Sequence, residues 1–160
     1  MKYLDMINNL FNKIMLFLAG IAVLALMLLA TGNVVLRIFH LPFRGTYEIV
    51  SFLGAVVIAF ALGYTQKRRD HIVVDILTDK FPDVIKETID KVAYIAMTIF
   101  FTIVAWQLYV WGMKIMESSE VSETLKIIFQ PYIFMTAAGF IMLAFTTFIQ
   151  FLKNLFHEED

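Results

Sequence analysis

The sequence predicts an all-α integral membrane protein with four transmembrane helices, short amphipathic interfacial helices and both termini in the cytoplasm. Three observations carry that expectation. Of the 160 residues, 60% are hydrophobic and 17% are charged. The charges are confined to the chain's punctuation: Ile14 to Leu36, Ile49 to Gln66, Val92 to Met113 and Ile127 to Leu152 contain no Asp, Glu, Lys, Arg or His. Each of these intervals reaches the ~17–25 residues with which a helix crosses the hydrocarbon core. A soluble chain this short leaves much of its surface in water and could not hide so many apolar residues.

The elements follow in order within a single membrane domain, residues 1–160. Residues 2–13 precede the first span, 14–36. There Leu4, Ile7, Phe11 and Ile14 recur at helical spacing, while Asp5, Asn8, Asn9, Asn12 and Lys13 fall largely off that stripe. Such a pattern predicts a short helix lying in the membrane interface, or an extension of the span itself. A cleavable signal is a poor reading, since apolar signal cores span only ~7–15 residues. The second span, 49–66, closes on Lys67, Arg68 and Arg69. A second interfacial segment, 71–90, follows, in which Pro82 suits a first helical position and Val84, Ile85, Ile89 and Val92 continue at helical spacing into the third span, 92–113. Pro131 opens the fourth span, 131–152.

Orientation comes from the cations. Lys2, Lys13, Lys67, Arg68, Arg69, Lys80, Lys86, Lys91 and Lys153 fall on one side, against Arg37, Arg44, Lys114 and Lys126 on the other. The excess of Lys and Arg on cytoplasmic segments places both termini in the cytoplasm. Lys67, Arg68 and Arg69 then act as a cytoplasmic anchor in contact with membrane lipid.

Side-chain size suggests how the spans meet. Ser51, Ala55, Ala59 and Gly63 recur every four residues along the second span, and small residues at this spacing let helices approach closely in lipid. The ridge serves packing within the chain or against a partner subunit. Ala137, Ala138 and Gly139 offer a similar site on the fourth span. Trp106, Tyr109 and Trp111 cluster at the outer end of the third, where aromatic rings sit at headgroup level.

Chemistry is harder to find. Transporters and channels mark their paths with an ionisable residue inside a span or with a broken helix, and neither occurs here. The polar residues of the spans are neutral: Thr31, Asn33, Thr98, Thr102, Gln107, Thr136, Thr146 and Thr147. Their hydroxyls can return hydrogen bonds to their own helix. His40, His71 and His157 lie in loops or the tail, which argues against paired haem ligands. There is no cysteine, hence no thiolate site, and no zinc-protease, hydrolase or P-loop motif. Neither catalytic, substrate-binding nor metal residues are expected, and the net charge of -1 gives no reason to expect nucleic acid as a partner.

Two charged clusters stand at span boundaries. Arg37, Arg44 and Glu48 gather at the outer end of the first two spans, as snorkelling side chains, as an ion pair that fixes the hairpin, or as an anchor for an outer partner. Beyond the basic anchor, Asp70, His71 and Asp75 open an alternating stretch from His71 to Leu77.

These residues carry a resemblance. Arg37-Ile38-Phe39, then Gly45-Thr46-Tyr47-Glu48, an Ala- and Gly-bearing span, a basic end and His71-Ile72-Val73-Val74-Asp75-Ile76-Leu77, with Pro131 before the last span, resemble the DctQ-like small membrane subunit of tripartite ATP-independent periplasmic (TRAP) transporters. Many relatives carry Trp near Glu48, where this chain has Thr46-Tyr47. The resemblance implies Glu48, Asp70, His71 and Asp75 as a structural motif. It implies a scaffold in the bacterial inner membrane that supports a large multi-span permease. That partner would hold the sodium and substrate sites, with no cofactor in this chain. A periplasmic binding protein would deliver an organic acid, a carboxylate or sulfonate. The alternatives are a membrane anchor for another complex and an oligomeric small exporter.

Overall fold

The computed structural model describes residues 2–68 and 83–156. Arg69, Asp70, His71 and Asp75 lie outside the described residues, as does Pro82. Four helices account for nearly all of the described backbone: α1 (Lys2–Ile38), α2 (Thr46–Arg68), α3 (Asp83–Ser118) and α4 (Gln130–Phe156). Each contains a stretch long and apolar enough to cross a membrane. No strand occurs among the described residues, and Val121 and Ile128 form a single antiparallel bridge. The chain is therefore an all-α, multi-pass membrane protein.

Packing is organised around α4, which touches all three other helices; α1 and α3 flank the α2–α4 pair. Half of α4's apolar stretch is buried, against 6% for each of α1 and α3. The core of this arrangement is small. Ala19 on α1 meets Val56 and Phe60 on α2, with Met15 and Tyr132 packed against them.

Side-chain size sets how near α2 and α4 come. A Cβ on Gly139 would lie 2.7 Å from the backbone carbonyl of Ala59, so only hydrogen fits there, as expected where small residues govern helix association in lipid. The ridge of small residues on α2 does not stay on one face. Each four-residue step overshoots a turn by about 40°, so three steps rotate the ridge by about 120°. Ala59 and Gly63 consequently turn into the bundle, whereas Ser51 and Ala55 are exposed.

Residues 2–13 do not form a separate interfacial helix. They continue α1 without a break, giving 37 residues and a length of about 55 Å, well beyond a hydrocarbon core of ~30 Å. Their polar face also differs from that of a helix lying in the interface, which turns it to water. Asn8 and Asn12 are buried, while Leu4, Ile7, Phe11 and Ile14 are exposed. The reason is the company that α4 offers: polar partners for the asparagines inside the bundle, and an apolar exterior for the rest. Residues 83–90 likewise belong to α3 rather than to a separate interfacial element.

Candidate functional site

The two ends of the bundle are fastened by different chemistry. At the end bearing both termini, α1 and α4 share a buried network. Asn12 Nδ2 donates to the Asn8 carbonyl oxygen at 3.0 Å, to Asn8 Oδ1 at 2.8 Å and to Thr146 Oγ1 at 3.1 Å. Thr146 Oγ1 lies 2.9 Å from both Asn8 Oδ1 and the Met142 carbonyl. Asn12 is 1% exposed and Thr146 0%. Buried as they are, these groups need hydrogen-bond partners. Asn12 Oδ1 has no donor among the described residues and lies over Gly63, where a Cβ would clash with it. Gly63 thus makes room for an amide rather than for a helix backbone.

Next to this network α2 and α4 exchange amides. Gln66 Nε2 donates to Gln150 Oε1, and Gln150 Nε2 donates to the Gln66 carbonyl, both at 2.8 Å. Thr98 on α3 and Thr147 on α4 approach to 3.1 Å. Thr98, Thr102, Thr136 and Thr147 also bond to carbonyls of their own helices, the local satisfaction expected of hydroxyls in spans.

The opposite end is held by one carboxylate. Glu48, in the first turn of α2 and before the charge-free stretch that starts at Ile49, accepts the Thr124 N–H on Oε1 at 2.6 Å and the Leu125 N–H on Oε2 at 3.0 Å. These backbone amides, Thr124 foremost, hold the carboxyl at about 2, well below its ordinary 4.5. Hydrogen bonds to the charged form have that effect. The loop it grips, 119–129, is drawn tight by Ser122 N–H to the Ile127 carbonyl at 2.9 Å. One turn further along α2, Phe52 stacks on Phe129 and Tyr132 at 5.5 and 5.3 Å. The preceding loop joins in: Leu125 lies directly over Gly45, leaving no space for a side chain, and Asn33 Oδ1 accepts the Phe43 N–H at 2.9 Å.

Arg37 and Arg44 are exposed, and among the described residues neither forms an ion pair with Glu48. The carboxylate is satisfied by the loop backbone instead. Lys67 and Arg68 stand at the other end: Lys67 donates to Asn9 Oδ1, and the Arg68 guanidinium lies 5.3 Å from the centroid of the Tyr64 ring. Asp5 and Lys153 form an ion pair at 3.2 Å. Among the described residues no group of three acidic, His or Cys side chains could hold a metal ion.

Sequence reasoning passed over Asn8, Asn12, Gln66 and Gln150 as fastenings. The signal for the glutamines was present, since both lie within charge-free intervals. Asn8 and Asn12 carried a weaker one, a pair of amides one helical turn apart.

The family model for the DctQ component of tripartite ATP-independent periplasmic transporters matches residues 26–157. This chain belongs to that family. No curated protein and no solved structure matches. The matched segment of this DctQ component holds Glu48, its loop and all of α4, whereas Asn8 and Asn12 precede it.

Proposed function

We propose that this DctQ component is the non-conducting scaffold of a sodium-coupled importer in a bacterial inner membrane. It supports and orients a large permease subunit, and a periplasmic binding protein supplies that partner with an organic acid. The observation that carries this reading is that, among the described residues, the polar groups inside the bundle are neutral and, Asn12 Oδ1 apart, paired within the chain. Gln66 and Gln150 pair with each other and Thr146 with Asn8. The one unpaired buried side-chain acceptor among the described residues, Asn12 Oδ1, is neutral and closed in over Gly63, and none of the four spans contains a charged residue. An ion or acid crossing lipid needs ionisable groups along its path, and those belong to the partner.

The outer faces of α1 and α3 support the same reading. They are apolar and uncovered, as helices destined for lipid or for another membrane subunit are. Exposed Ser51 and Ala55 on α2 offer a partner helix a close approach. With both termini cytoplasmic, Glu48 and the 119–129 loop stand on the periplasmic side, where the binding protein docks.

Affinity purification of the tagged chain from native membranes tests the proposal. A large polytopic permease should co-purify in stoichiometric amount, and recovery of self-oligomers alone would sink it. Reconstituted uptake should then require the permease, the binding protein and a sodium gradient. Glu48→Gln should lower uptake in proportion to lost assembly, without altering its sodium dependence.

A further inference from the structure

The end of the bundle that bears both termini opens into a cleft of about 480 Å³ between α1, α2 and α4. Its walls carry Lys13, Lys67, Arg68 and Lys153 against a single carboxylate, Asp5. The ion pair between Lys153 and Asp5 cancels one charge on each side. Three positive charges therefore remain among the described lining residues. Lys67 is steadied by neutral Asn9 and Arg68 by the Tyr64 ring, so among the described residues both are positioned without being neutralised.

The geometry points to a site for the phosphate of an anionic phospholipid. The cleft lies where the charge-free stretch of α2 gives way to Lys67, which is the level of the headgroups. Above it, the face of α1 that carries Lys13 continues as an apolar track. Phe17 and Leu24 follow at helical spacing and are 70% and 59% exposed. A phosphate among the cations would leave its acyl chains lying along that track, an arrangement that neither a soluble anion nor a carboxylate from a protein loop would use. Basic pockets between transmembrane helices are suited to anionic headgroups on electrostatic grounds.

The test is native mass spectrometry of the full chain in mild detergent. It is titrated with phosphatidylglycerol and, separately, with phosphatidylcholine of identical acyl chains. Phosphatidylglycerol should be retained preferentially. Lys13→Gln with Arg68→Gln, which leaves the Asp5–Lys153 pair and the Lys67–Asn9 contact in place, should weaken its retention roughly thirtyfold. Lys13→Arg with Arg68→Lys should keep the preference. Arg37→Gln with Arg44→Gln, at the opposite end, should not change it. Equal retention of the two lipids would overturn the proposal, as would a preference that survives Lys13→Gln with Arg68→Gln. Displacement of the lipid by millimolar inorganic phosphate would assign the cleft to a soluble anion and overturn it too.

Discussion

The two ends of this bundle solve the same problem, holding helices together without a large core, in opposite ways. At the end bearing the termini the fastening is side chain to side chain and buried, with Asn8, Asn12 and Thr146 between α1 and α4. At the other end one partly exposed carboxylate holds a loop by its backbone amides. A buried network cannot replace a lost partner with water, because an unsatisfied buried group carries its full desolvation penalty. An exposed clasp can. Damage to the first should therefore loosen the whole bundle, and damage to the second should loosen only a loop.

The largest effect should come from the close approach that underlies both fastenings. Gly139→Val places side-chain atoms where the α2 backbone stands, 2.7 Å from Ala59, and neither helix can yield without the other. Overpacking of this kind costs about 1–3 kcal/mol, and backbone on the opposing side puts Gly139 at the upper end. Unfolding titrations in mixed micelles should show it, together with loss of the permease from pull-downs. If Gly139→Val is as stable as the parent, the close α2–α4 contact is not what organises the bundle.

Asn12→Ala comes next. It removes the Nδ2 donor that Asn8 and Thr146 share, leaving only their direct contact, and should destabilise by about 1–2 kcal/mol, given that interhelical hydrogen bonds in membranes reach only ~1.7 kcal/mol in double-mutant cycles. The decisive measurement is the cycle itself. Asn12→Ala and Thr146→Val should be strongly coupled to each other, and neither should couple to Glu48→Gln at the far end. Additivity between Asn12 and Thr146 would erase the distinction drawn between the ends.

The same contrast explains what could be read in the sequence. The spans were legible because lipid forbids unpaired charge, so intervals empty of charge mark them, and Pro131 lies at the start of α4 as its chemistry requires. The inner face of residues 2–13 was misleading for a physical reason. The pattern of an interfacial helix, apolar residues toward lipid and polar ones toward water, is also that of a span extension whose polar residues find partners inside the bundle: Leu4 and Phe11 face out, but Asn8 and Asn12 face in toward α4. Glu48 stood out by position, yet its partners did not. Backbone amides of Thr124 and Leu125 carry no side-chain signature, whereas Arg37 and Arg44 were conspicuous and proved not to pair with it.

Glu48→Gln should be milder than Asn12→Ala and local. The amide keeps one acceptor oxygen where the carboxylate offered two, so hydrogen exchange at Thr124 and Leu125 should accelerate while the global unfolding midpoint barely moves. The pH dependence has a definite sign. A carboxyl whose folded-state pKa is lowered to about 2 from 4.5 contributes stability that is complete above its unfolded value and is lost as the pH falls toward 2. Protection of the two amides at pH 5.5 should therefore match that at pH 7, after correction for intrinsic exchange, and should decline progressively from about pH 4.5 toward 2. Protection that stays unchanged from pH 5.5 down to 2 would mean that the clasp does not hold the carboxylate in solution.

The smallest effect should run in the opposite direction. His40, Ser119 and Lys126 adopt positive φ values of 60°, 53° and 53°, all three in the loops of the clasp end. His40 closes α1: its N–H bonds to the Arg37 carbonyl and the Leu41 N–H to the Leu36 carbonyl, at 3.1 and 3.0 Å, the pattern in which glycine usually takes the left-handed position. A residue with a Cβ there costs about 1 kcal/mol, part of which glycine returns through the greater freedom of the unfolded chain. His40→Gly should thus stabilise by less than about 1 kcal/mol. Since the strain sits in a loop, the gain should appear as slower exchange at Leu41 and Phe43, leaving the amides around Asn12 unchanged. A gain felt equally at Asn12 would mean that the two ends are one cooperative unit, and that the exposed clasp is coupled to the buried network after all.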